Sequence, residues 1–181
     1  MPKDHWKSFL PKMSPPNNAS YSSWLRDNGS LTKRIQQRCH TFSVQQINSG
    51  LMQAVRDETT LLSLARQQNI YTREVYLFAD GKPVVFAHSV VATQHLRGAW
   101  HTIKNLGTRP LGALLFSHPL VHRAPLHYQA LKSSHVLYRR AAAKLNTAPT
   151  KLWARRSIFT LHGAPLLVTE IFLPDILALS K

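Results

Sequence analysis

Two stretches of the chain carry paired, β-rich apolar runs around a short polar turn, and they set the frame for the rest. In the first, Val75-Tyr76-Leu77-Phe78 and Val84-Val85-Phe86 through Val90-Val91 flank Ala79-Asp80-Gly81-Lys82-Pro83. With Asp-Gly as the turn pair this predicts a β-hairpin. In the second, Leu152 to Leu161 and Leu166 to Leu173 flank His162-Gly163-Ala164-Pro165, which repeats the pattern. Short helical patterns lie between. Ser20, Ser22 or Ser23 caps a helix through Trp24 and Leu25 that stops near Asn28-Gly29, and Ser30 N-caps a second over Leu31 to Gln37. Residues 54–66 and 94–105 read as helices, the latter ending at Gly107, and Pro110-Leu111-Gly112 opens a short apolar element through Phe116. A strand is expected from Cys39 to Ile47, with Asn48-Ser49-Gly50 as its turn. Residues 119–148 stay open: Val121 to Leu131 reads as a strand, and His135 to Leu145 as strand or helix. Residues 1–20, with Pro2, Pro11, Pro15 and Pro16, read as an irregular arm, and 21–181 as a single domain. Hairpins interspersed with short helices predict an α+β domain on an antiparallel sheet.

Composition narrows this picture. A chain of 181 residues, 44% of them hydrophobic, is long enough to build one core. The N-terminus lacks the apolar core of a signal peptide, and no segment approaches the roughly 18 apolar residues of a membrane span. The single cysteine, Cys39, excludes an internal disulfide framework and a multi-cysteine zinc site, and nothing around it marks a catalytic thiol. A soluble protein of the reducing cytoplasm is expected.

Charge adds a question about partners. The chain has 23 Lys plus Arg against 8 acids, a formal net charge of +15. That points to an anion: nucleic acid, an acidic membrane surface or a small substrate. The basic residues are scattered, and their densest groups are the pairs Lys33-Arg34, Arg139-Arg140 and Arg155-Arg156. No nucleic-acid-binding signature accompanies them. A diffuse positive field suits the steering of a small dianion.

Candidate chemistry centres on Pro165 to Pro174, an apolar run with one carboxylate, Glu170, inside it. A carboxylate in a buried strand needs a cation, a hydrogen bond or a functional role to offset its desolvation. The other seven acids, Asp4, Asp27, Asp57, Glu58, Glu74, Asp80 and Asp175, are expected in polar or half-exposed settings. Arg73 is the second candidate. Its neighbour Glu74 offers a local ion pair, but alternate strand residues face opposite sides, which lets Arg73 point inward and Glu74 outward. A buried Arg is a bidentate partner for a substrate carboxylate. There is no phosphate-binding glycine loop, no dinucleotide-binding glycine pattern and no nucleophile elbow. His118, His122 and His127 have no carboxylate nearby and Pro119 interrupts a helical spacing, so no metal site is expected.

Several stretches taken together resemble the chorismate lyase (chorismate pyruvate-lyase) family. They are Leu31-Thr32-Lys33-Arg34, Arg73-Glu74-Val75 running into Ala79-Asp80-Gly81-Lys82-Pro83, Arg109-Pro110-Leu111-Gly112 with Leu115-Phe116, Leu152-Trp153-Ala154-Arg155-Arg156-Ser157, and Pro165 to Pro174. Their order and spacing span roughly Leu25 to Asp175. The resemblance implies a single α+β domain whose antiparallel sheet and short helices enclose an internal ligand pocket. It implies the conversion of chorismate to 4-hydroxybenzoate and pyruvate, the committed step into ubiquinone, with no metal and no organic cofactor. It implies a monomer acting on small molecules, without nucleic acid. By the same resemblance Arg73 binds a carboxylate, Glu170 hydrogen-bonds the ring hydroxyl, and Leu111 gives a backbone N–H to the ligand. Leu31 stands where the family often has a ligand-contacting Met. Val84 follows Pro83 where a Trp is frequent. Arg155 and Arg156 match the family's Arg-Arg-Ser and read equally as ligand contacts or as a cross-strand structural pair. Two other readings stay beside this one: a non-catalytic effector-sensing domain of the same fold, and a basic nucleic-acid-binding module that rests on net charge alone.

Overall fold

The computed structural model describes residues 6–11, 18–65 and 68–179. Much of the expected N-terminal arm, residues 1–5 and 12–17, lies outside the described residues. Among those described, seven strands form one antiparallel sheet: β1 (Phe42–Gln53), β2 (Asn69–Ala79), β3 (Lys82–Ala92), β4 (His122–Arg123), β5 (His127–Lys132), β6 (Lys151–Leu161) and β7 (Ala164–Phe172). The spatial order is β1-β2-β3-β7-β6-β4, and β5 also pairs with β6. The helices are α1 (Asn18–Arg26), α2 (Leu31–Gln36), α3 (Arg56–Leu61), α4 (Leu111–Ser117) and α5 (Val136–Ala142). No described helix is long and apolar enough to cross a membrane.

Both predicted hairpins form, and both are tighter than their sequence pattern suggests. Asp80 and Gly81 have φ of 48° and 77°, and His162 and Gly163 have 49° and 75°. Two left-handed residues make a turn whose twist matches the flanking strands. The second turn is therefore His162-Gly163 alone, and β7 starts at Ala164 rather than Leu166. Asp80 also anchors the start of β1, where its Oδ1 accepts from the His40 and Thr41 amides at 2.9 and 2.8 Å.

Other elements depart from expectation for local reasons. Asn48-Ser49-Gly50 is no turn. β1 runs through it, because a bulge between Gln46 and Asn48 lets the strand stay in register with β2 to Gln53. The expected helix over 94–105 breaks into two 3₁₀ segments, Thr93–Arg97 and His101–Asn105, with Gly98 between them at φ −125° and ψ −115°. Of the helix expected over 54–66, residue 66 lies outside the described residues and the described part is helical only in α3. Within 119–148, the expected strand splits into β4 and β5 around Pro125, and 136–142 is helical. Ser30 caps α2 as expected, its Oγ accepting from the Lys33 amide at 3.3 Å.

Alternation along the strands gives the sheet two buried faces. On the front face, Val75, Leu77, Val85 and Phe172 pack with Trp24 and Leu25 of α1 and Leu31 and Ile35 of α2. Further along, Val91, Phe159, Leu166 and Val168 pack with Trp100, Ile103, Leu111 and Leu115. On the back face, Tyr76, Phe86, Ala154 and Ile171 pack with Leu137, Tyr138 and Ala141 of α5, and with Trp6. The two front clusters do not meet, and the gap between them is a pocket.

Candidate active site

The pocket and its open mouth together span about 500 Å³ not filled by atoms. Its floor is β2, β3, β7 and β6, its roof the facing starts of α2 and α4. Leu31, Arg73, Leu111 and Glu170, the residues singled out from sequence, all line it. Leu31 is the first residue of α2 and Leu111 the first of α4, after Pro110 at the N-cap. The first N–H groups of a helix have no intrahelical acceptor, so Leu111 brings a backbone donor to this wall. Thr32 and Ser89 add buried hydroxyls among the apolar walls Val75, Leu77, Leu115, Phe116, Phe159 and Val168. Val84, which follows Pro83, is buried in the front-face cluster beside the pocket and is not part of its lining.

Arg73 is the fifth residue of β2, deep in the strand, with 2% of its surface exposed. Its Nη2 donates to the carbonyls of Gly107 and Arg109, both at 2.9 Å. Its Nε is buried with no hydrogen-bond partner, and among the described residues no carboxylate lies within ion-pair distance of it. Burial lowers its pKa, although a guanidinium remains charged at neutral pH. The result is a fixed cation facing a pocket with its charge unmatched.

Glu170 differs from the expectation. It is half-buried, with 19% of its side chain exposed, and it faces the pocket. Its cation is its cross-strand neighbour. The turn at His162-Gly163 places Arg155 opposite Glu170, and Arg155 Nε donates to Glu170 Oε2 at 2.6 Å. Arg155 Nη1 also donates to the carbonyls of Trp24, Leu25 and Asp27 at 3.0, 3.3 and 2.5 Å. These acceptors lie at the C-terminal end of α1, where the helix dipole favours a cation. Arg155 thus fixes Glu170 in position and ties α1 to the sheet. The Asp27 side chain is occupied elsewhere, pairing with Arg34 at 2.9 Å.

The other acids also correct the expectation. Glu58 and Glu74 are 2% and 4% exposed, deeper than Glu170. Glu74 does face away from Arg73, but into the back-face core rather than into solvent. Both carboxylates grip His88: Glu58 Oε1 lies 2.8 Å from Nε2, and Glu74 Oε1 lies 2.9 Å from Nδ1. Arg140 adds a 2.6 Å bond to Glu74 Oε1. Burial alone would lower the His88 pKa, but the two carboxylates outweigh it and raise it to about 9. Burial would raise that of Glu74, but His88 and Arg140 bring it below the usual carboxylate value. Arg156, on the back face beside Arg155, pairs with Asp57 at 2.8 Å and stacks over Trp6 at 4.3 Å.

Sequence reasoning missed one cation beside the pocket, the half-buried Arg123, which falls in the open stretch 119–148. It pairs with Phe159 across β4 and β6 and so projects on the pocket face. Its guanidinium lies 5.6 and 5.3 Å from the ring centroids of Phe116 and Phe159.

The chain is similar to known proteins both in sequence and in fold. The profile of the family described as chorismate lyase matches residues 10–180. A probable chorismate pyruvate-lyase of Nitrosospira multiformis is 50% identical over 158 residues, 87% of this chain and 88% of that protein. Another, of Aromatoleum aromaticum, is 45% identical over 180 residues, 98% of this chain and 97% of that protein. Among solved structures, the effector domain of PhnF from Mycobacterium smegmatis superposes with a TM-score of 0.55 at 14% identity, covering 81% of this chain and 90% of that one. The ligand-binding domain of a GntR-family regulator from Bordetella bronchiseptica also gives 0.55, at 18% identity, covering 75% and 86%. At such identities these structures share the fold alone. The profile match and the relatives' identity over nearly the whole length carry the conclusion: the chain belongs to the chorismate lyase family, and with it to the lyases.

Proposed function

We propose that this protein converts chorismate to 4-hydroxybenzoate and pyruvate in the cytoplasm, and so supplies the aromatic precursor for ubiquinone. One observation carries the reading: a buried, carboxylate-free Arg73 and a pocket-facing Glu170 fixed by Arg155 line the same pocket. In this reading Arg73 takes the ring carboxylate, supported by the Leu111 N–H. Glu170 accepts the hydrogen bond of the ring hydroxyl. In the reaction the ring carbon bearing that hydroxyl loses its hydrogen and the adjacent ether C–O bond breaks. Enolpyruvate leaves, takes a proton and ketonises to pyruvate, while aromatisation of the ring supplies the driving force. The protein's share is to hold the reacting conformation and to stabilise charge as it moves toward the ether oxygen and the hydroxyl. Arg155 acts through Glu170 as a positioning residue.

The solved structures that share the fold include effector domains of regulators, which supports a sensing role as the second reading. One assay separates the two. Mixing protein with chorismate should give the ultraviolet spectrum of 4-hydroxybenzoate at a rate proportional to protein. Binding of chorismate without aromatisation would instead favour the sensor.

A further inference from the structure

Glu170 cancels the charge of Arg155, and Asp27 that of Arg34. Two guanidinium groups beside the pocket then have no carboxylate partner among the described residues: Arg73 on β2 and Arg123 on β4. Arg73 is buried and lines the pocket, whereas Arg123 is half-buried and stands behind the lining residues Phe116 and Phe159, yet the two share several features. Each has a buried Nε without a hydrogen-bond acceptor. Each is held by main-chain carbonyls, Arg73 by Gly107 and Arg109, and Arg123 by Asn28 at 3.0 Å. Burial lowers the pKa of both. In the strand order they flank the pocket, with Glu170 of β7 between them, and Glu170 is near enough to act electrostatically on Arg123. Arg123 is fixed in orientation by the rings of Phe116 and Phe159, which themselves line the pocket. An unmatched buried cation is costly unless something neutralises it. Two cations without a carboxylate partner, one buried in the pocket wall and one half-buried beside it, call for two negative charges on the ligand.

Building on the function proposed above, we infer that Arg123 is a substrate-binding residue that receives the second carboxylate, the one on the enolpyruvyl arm. Arg73 then anchors the ring and Arg123 the leaving group, with the ether bond between them near Glu170. After cleavage each anion is left with its own guanidinium, 4-hydroxybenzoate with Arg73 and pyruvate with Arg123. This makes Arg123 a device for distinguishing substrate from aromatic product, since the product carries a single carboxylate.

The test compares affinities for a dianion and a monoanion, which a general loosening of the fold would change together. The inert dianion is 3-(carboxymethoxy)-4-hydroxybenzoate, and the monoanion is 4-hydroxybenzoate. Arg123→Gln should weaken the dianion by about 10- to 100-fold, the loss expected for a hydrogen bond to a charged group, and 4-hydroxybenzoate by less than about twofold. Arg123→Lys should restore part of the dianion affinity, because charge remains without the planar fork, and inhibition by pyruvate should weaken in Arg123→Gln. Equal losses for the two ligands, or no loss for either, would overturn the assignment. Because the ligand is inert, the result does not depend on turnover. A wild-type protein that binds the dianion through Arg123 but leaves chorismate intact would refute the lyase reading and keep this one.

Discussion

The two faces of the sheet use the same residue types to opposite ends. Neighbouring residues make the point: Arg73 and Glu74 on β2, and Arg155 and Arg156 on β6, diverge to the front and the back. On the back, Glu58, Glu74, His88 and Arg140 satisfy one another, as do Asp57 and Arg156. That network balances its charge between α3 and α5, with Glu58, Glu74, His88 and Arg156 buried and only Arg140 and Asp57 reaching toward solvent. On the front, Arg155 and Glu170 are paired, but Arg73 is not, and the surface they border is open. Burial and ionic character therefore do not mark a site by themselves. The mark is the mismatch: charge that the protein does not neutralise for itself, facing space.

The comparison is open to direct attack. The largest effect is expected on the back. Glu74→Ala removes one carboxylate from the network and should cost about 3–5 kcal/mol of stability, the usual result of breaking a buried pair. Affinity for 4-hydroxybenzoate, measured on the folded fraction, should not move, and urea denaturation beside calorimetric titration would show both. A variant that keeps its stability but loses the ligand would reverse the roles given to the faces.

Arg73→Ala should do the converse. Catalytic efficiency should fall by about 2–5 kcal/mol in transition-state terms, as for truncation of one partner of a buried charge pair. The denaturation midpoint should stay near wild type, because a cation without a carboxylate partner is lost. Arg73→Lys should recover only part. Wild-type turnover and product binding in Arg73→Ala would end its assignment.

Glu170→Gln comes third, with turnover reduced by about 10²-fold, the lower end for a residue that manages a proton or charge in the transition state. Product affinity should change less than turnover, since the interaction strengthens as the ether breaks. Steady-state kinetics beside product binding would check this, and unchanged turnover would return Glu170 to a structural ion pair.

The last effect is graded by pH and is the smallest within any one pH unit. His88 has a folded pKa raised from 6.5 to about 9, so its stabilisation is complete below pH 6.5 and is lost as pH rises through 9. Glu74, lowered from 4.5, contributes above that value and loses its contribution as pH falls. Stability should therefore decline above pH 6.5 with a slope of up to about 1.4 kcal/mol per pH unit. Urea midpoints between pH 6.5 and 9 would test it, and His88→Gln should flatten the slope. A slope that survives in His88→Gln would assign the titration to another group.

How legible all this is in the sequence depends on the range of the forces involved. Hairpins, the Ser30 cap and the Asp80-Gly81 turn are local and could be read directly. Arg73 was legible because strand alternation separates it from Glu74. The partner of Glu170 was within reach: a two-residue turn at His162-Gly163 puts Arg155 opposite it, and only the longer turn hid the pair. Glu58 and Glu74 were not legible as buried, because their burial depends on His88 and Arg140, 30 and 66 residues away in the respective hydrogen bonds. Arg123 was illegible for a similar reason, since a two-residue strand broken at Pro125 carries no periodicity. The bulge in β1 reversed the reading of Asn48-Ser49-Gly50, because turn-forming residues are tolerated at an irregular edge.

The roof of the pocket leaves a trace that could be followed across a lineage. A side-chain carbon at Gly112 would come 3.0 Å from Thr32 Oγ1, so α2 and α4 approach one another through a space that holds one small group and not two. Positions 32 and 112 are thus a single volume divided between two codons. Growth at 112 requires shrinkage at 32 or a wider separation of the helices, and the wider separation would enlarge the cavity beneath. Drift at this pair is therefore a route by which the chain could come to admit a bulkier ring without any change among its charged residues.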